Sequence, residues 1–118
     1  MSVASEKSES FAIRIVRLYQ YLQDEKKEYV LSKQLLRSGT SIGANLAEAK
    51  YAISKNDFIS KQYIALKEVS ETLYWLKLLF KTDYLTEGQY DSLYQDAEEI
   101  RKLLSSSTKT LQDKDSTT

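Results

Sequence analysis

Residues 38–80 read SGTSIGANLAEAKYAISKNDFISKQYIALKEVSETLYWLKLLF. Two helical patterns meet here at a short break before Ser54. Leu35, Ile42, Leu46, Ala49 and Ile53 fall on one side of the first, at the spacing of successive helical turns. Phe58, Ala65, Leu66, Val69, Leu73, Leu76 and Phe80 do the same for the second. Ser54 and Asp57 stand at capping-box spacing, with Asp in place of the usual Glu or Gln. Further apolar residues lie off both core faces, more than a small bundle needs when alone. The stretch therefore points to a self-associating helical protein rather than to an enzyme with a private pocket.

Outward from this stretch the same period continues. Phe11, Ile15, Leu18 and Leu22 predict a first helix over about 6–24, closed by the polar run at 24–27. Ser32 is a candidate N-cap for the second helix. Thr86 and Gln89 repeat the capping-box spacing ahead of a fourth helix, whose stripe is Leu93, Ala97, Ile100 and Leu104. Residues 107–118 are too polar to offset the entropy of ordering them, so they are expected to form a disordered tail behind a bundle domain at 1–106. With no proline and three glycines, long helices with short connections suit the chain. The expected class is all-α, an antiparallel up-and-down four-helix bundle.

Composition narrows the chemistry. The 118 residues make one domain. There is no cysteine and no histidine, so disulfides, thiolate metal sites and the commonest general base are all missing. Lys plus Arg equals Asp plus Glu at 17 each, which gives no overall pull toward nucleic acid. Bundles can host di-metal centres, but these use Glu-x-x-His motifs, and Glu68 and Glu71 have only Lys67 beside them. No cofactor is expected. The polar N-terminus and the absence of an apolar run of ~20 residues lead us to expect a soluble cytoplasmic protein.

Four groups of residues invite a functional reading. Gly39, Gly43 and Ala47 recur one turn apart on the second helix. Each helical glycine costs about 1 kcal/mol against alanine, so close packing of another helix is the usual reason for such a stripe. Ser38, Ser41, Asn45 and Glu48 form a polar stripe beside the apolar face. It reads either as a buried hydrogen-bond network that fixes register or as the edge of a polar site. Ile64, Trp75 and Leu78 lie roughly opposite Val69 on the third helix, as an oligomer interface would. Tyr63, Lys67, Tyr74, Lys77 and Lys81 interleave bases and rings on that helix. With Lys33, Arg37 and Lys61 its cations are candidate phosphate contacts, although a solvated or subunit-contact face looks much the same.

The run RSGTSIGANLAEA at 37–49 and the run NDFISKQYIALKEVSETLYWLKLL at 56–79 resemble a bacterial family. It comprises four-helix-bundle proteins encoded within intervening sequences of 23S rRNA genes, once labelled S23 ribosomal proteins. The resemblance covers roughly residues 10–105. It rests most on Ser41-Ile42-x-x-Asn45-x-x-Glu48, on Asp57-Phe58 and on Glu71-x-x-Tyr74-Trp75-Leu76. It implies a homo-oligomeric ring, commonly a pentamer, and no known enzymatic activity. The fold is similar to the accessory protein of diversity-generating retroelements, a basic ring that binds reverse transcriptase and nucleic acid. This chain departs from that relative in being neutral. The resemblance makes RNA, or a protein that processes nucleic acid, a candidate partner beside the chain itself. The competing reading is a protein–protein adaptor with no nucleic-acid role.

Overall fold

The computed structural model describes residues 2–116. Four helices follow one another: α1 (Val3–Asp24), α2 (Leu31–Ala49), α3 (Lys55–Lys81) and α4 (Glu87–Ser116). Each packs on its sequence neighbours, and α1 closes on α4, so the four make an antiparallel four-helix bundle 52 Å long and about 22 Å across. The core is one cluster. Phe11, Ile15 and Leu22 of α1 meet Leu35, Ile42 and Leu46 of α2, Ala65, Val69, Leu76 and Leu79 of α3, and Leu93, Ala97, Ile100 and Leu104 of α4.

The helix starts show how local chemistry sets the boundaries. Ser2 caps α1 by accepting from the Ser5 N–H at 3.1 Å, so the helix begins a turn earlier than its apolar stripe predicts. Ser54 caps α3 through the Asp57 N–H at 3.0 Å, and the Asp57 carboxylate accepts from the Ile53 N–H at 3.1 Å. Thr86 and Gln89 cap α4 reciprocally, at 3.2 and 2.9 Å, a complete capping box.

Three expectations are corrected. Ser32 is not the cap of α2. The Glu28 carboxylate performs that role, accepting N–H bonds from Val30, Leu31 and Ser32 at 3.2, 2.9 and 2.7 Å, while the Ser32 hydroxyl donates to the Glu28 carbonyl. One carboxylate thus satisfies three of the free donors of a helix start.

Ile53 is not in the core. Helix α2 ends at Ala49, and Ile53 sits in the following loop, 93% exposed. The segment expected to be a disordered tail continues α4 through Ser116; its last two residues lie outside the described ones. Within it Thr108 turns inward, 2% exposed, and its hydroxyl donates to the Leu104 carbonyl at 2.9 Å, so the buried oxygen is satisfied on its own helix.

Candidate assembly and nucleic-acid surfaces

The glycine stripe lies on the α1–α2 seam. Gly39 is buried, and a Cβ added to it would stand 2.8 Å from Ile15 Cγ2. The bare backbone there is the hole into which Ile15 fits. At Gly43 the contact is looser, 3.6 Å to Ser8 Cβ. Ala47 is exposed. Gly43 and Ala47 line a shallow surface groove with Ala12, Thr40 and Ala44. The stripe is therefore tightest at Gly39 and opens to solvent toward the end of α2.

The polar stripe does not form one buried network. Only Ser38 is buried among its four members. Thr72 of α3, also buried, donates to Ser38 Oγ at 2.9 Å, a polar bond across the α2–α3 seam. Ser41 and Asn45 turn back on their own helix, donating to the carbonyls of Arg37 and Ser41 at 2.6 and 2.8 Å. This is the usual fallback of short polar side chains in a helix interior. Glu48 is exposed and pairs with Lys61 at 3.4 Å. The partner hydroxyl at Thr72 was legible only as a lone polar residue among the apolar positions of α3.

On the same seam, Arg37 reaches α3. Its guanidinium pairs with Glu71 and lies 3.7 Å from Glu68. Glu71 Oε2 also accepts from the Trp75 indole N–H at 3.2 Å. One carboxylate thus holds both a cation from α2 and the indole of α3. Trp75 is half-buried against the core and meets Tyr74 edge-on, with centroids 5.2 Å apart. Leu78 is half-buried and Ile64 is 37% exposed. Of the three candidate interface residues, then, Ile64 stands out most and Trp75 has its polar group already satisfied.

The candidate phosphate contacts divide into two sets. Arg37 and Lys61 are engaged by carboxylates of the same chain. Lys33, Lys67, Lys77 and Lys81 are exposed. At about 100° per residue, Lys67, Lys77 and Lys81 fall within an arc of roughly 80° on α3, and Tyr74, 52% exposed, lies among them. Across the bundle, α1 is tied to α4 by Lys7–Glu99 at 2.8 Å and Arg14–Asp96 at 2.6 Å.

Among the described residues, no group of three or more His, Cys, Asp or Glu side chains gathers that can hold a metal ion. No helix among them is long and apolar enough to cross a membrane. What the geometry defines is a helical bundle whose distinctive features are its seams and outer faces.

Residues 2–106 match the family described as 23S rRNA-intervening sequence protein, and the chain belongs to that family. A solved structure is similar to it along nearly the whole length. That protein, of unknown function, comes from the S23 ribosomal protein family of Bacteroides thetaiotaomicron. It is 58% identical, with a TM-score of 0.89, and the match covers 91% of this chain and 99% of the other. No curated protein matches the chain.

Proposed function

We propose that this protein is a non-enzymatic bundle that assembles into a homo-oligomeric ring, commonly a pentamer in its family, and serves in the cytoplasm as an RNA-associated scaffold. The observation that carries the RNA reading is the outer face of α3, where Lys67, Lys77 and Lys81 are exposed around Tyr74. A neutral subunit can bind a polyanion when assembly gathers such faces on one surface. The family's tie to 23S rRNA intervening sequences and the S23 ribosomal label of the similar structure support the same direction. Contacts of this kind go to phosphates, with rings available for stacking, so sequence preference should be slight.

The test is RNA binding at ~50 and ~200 mM salt. It uses the wild type and a variant carrying Lys67→Glu, Lys77→Glu and Lys81→Glu. Affinity should fall steeply with salt and collapse in the variant, because each phosphate contact releases counterions. Arg37 and Lys61 are left unchanged, since their charges are already matched within the chain. No binding at low salt, or binding indifferent to the reversals, would leave a protein–protein adaptor as the better reading.

A further inference from the structure

The rings at the α3–α4 seam form a ladder. Phe80 of α3 and Tyr90 of α4 lie face to face, with centroids 4.6 Å apart and planes 4° from parallel. Tyr94, one turn further along α4, tilts against Tyr90 at 5.7 Å and is 38% exposed. The ladder thus starts at the edge of the core and ends in solvent. Its two flanks carry opposite charge. Lys77 lies one turn back from Phe80, and because the two helices are antiparallel this brings it level with Tyr94. With Lys67 and Lys81 it lines the α3 flank. Glu87 and Asp91 line the α4 flank, on the outward side of Tyr90 at about 100° per residue. All five charged side chains are exposed. Among the described residues none of them has an ion-pair partner, so both charges are open to a ligand.

That arrangement discriminates between forms of RNA. In a duplex the bases are already stacked on one another, and a phosphate backbone lies on either side of them. Its second backbone would meet Glu87 and Asp91. A single strand has one backbone, which the lysine flank can follow, and unstacked bases that exposed rings can take up. From Lys67 to Lys81 the flank runs about 21 Å along the helix, the length of about six phosphates at the 3.4 Å spacing of one strand.

We propose that the α3–α4 seam is a single-strand site. One RNA backbone follows Lys67, Lys77 and Lys81, with bases stacked on Tyr94 at the seam and on Tyr74 among the lysines, while Glu87 and Asp91 exclude a second strand. This inference rests on the RNA reading above and names the form of RNA that the same face takes.

The test compares three probes at ~50 mM salt: a mixed-sequence RNA strand of ~12 nucleotides, the same strand annealed to its complement, and an abasic strand of the same length. The intact single strand should bind at least about tenfold tighter than either of the others. Tyr94→Ala should weaken single-strand binding at least about fivefold, the lower end of what one stacked base contributes. It should leave the salt slope unchanged, because no phosphate contact is lost. Tyr94→Phe keeps the ring and should bind as the wild type does. Glu87→Gln combined with Asp91→Asn should raise duplex affinity toward that of the single strand. Circular dichroism checks that each variant is folded. Three results would overturn the single-strand site while leaving a phosphate-binding scaffold standing: equal affinity for single strand and duplex, a Tyr94→Ala protein that binds as tightly as the wild type, or duplex binding indifferent to the loss of both acids. No binding of any RNA at low salt would remove both readings.

Discussion

At the scale of single residues, Glu28 combines burial with charge. Burial pushes its carboxyl up, but the N–H groups of Leu31, Ser32 and Val30 outweigh that and hold it below the ordinary value. A carboxyl whose pKa is lower in the folded than in the unfolded chain stabilises the fold above the unfolded value, about 4.3. That stabilisation is lost as pH falls through the folded value. Glu28→Gln should therefore cost about 0.5–2 kcal/mol at neutral pH, the worth of a helix cap. It should also flatten the acid limb of the stability curve, which urea titrations between pH 7 and pH 3 will read. The glycines give a contrasting pair. Gly39→Ala forces a methyl against Ile15 Cγ2 and should destabilise by about 1–3 kcal/mol. Gly43→Ala meets only ordinary contact distances and should be neutral or stabilising by up to about 1 kcal/mol through helix propensity. Thermal melts of the two variants side by side test the close approach; equal melting temperatures would refute it.

At the scale of helices, the ends decide more than the middles. Ser54→Ala removes the cap of α3 and should cost about 1 kcal/mol, measurable by denaturant unfolding. Deleting residues 107–118 should lower stability by on the order of 1 kcal/mol, because Thr108 is buried where α4 covers the end of the bundle; an inert tail would be removed without effect. The apolar period made the helix interiors legible in the sequence, and the serine and threonine caps of α3 and α4 followed from spacing alone. The α2 cap was hidden because the capping carboxylate belongs to Glu28, outside the usual N-cap position, while Ser32 looked suitable on residue type. Ile53 was misplaced because helical spacing continues past Ala49 although the chain does not. The tail was misjudged for the opposite reason, since its composition is polar but one face still finds a neighbour. For the candidate surfaces, the sequence placed the residues on their helices and missed who pairs with whom. Nothing in residue spacing on one helix reveals that Glu71 will hold both Arg37 and Trp75, or that Thr72 will answer Ser38.

At the scale of the whole molecule, the chain is neutral and elongated, and its flanks differ. The outer side of α3 is basic, while residues 83–99 carry acids and no base. Substituting Ile64→Glu should lower the assembly state in sedimentation while leaving the monomer's helicity unchanged, because the side chain is already 37% exposed; an unaltered assembly would move the interface away from this part of α3. Trp75→Ala is the poorer probe, since it also strips packing from the core and a donor from Glu71. The seat of Ile15 on Gly39 has a consequence that plays out over descent rather than in one molecule. Neither position is free to drift alone: a side chain at 39 is tolerated only after the one at 15 has shrunk. The two should change in step along the lineages of the family, leaving a covarying pair 24 positions apart in sequence.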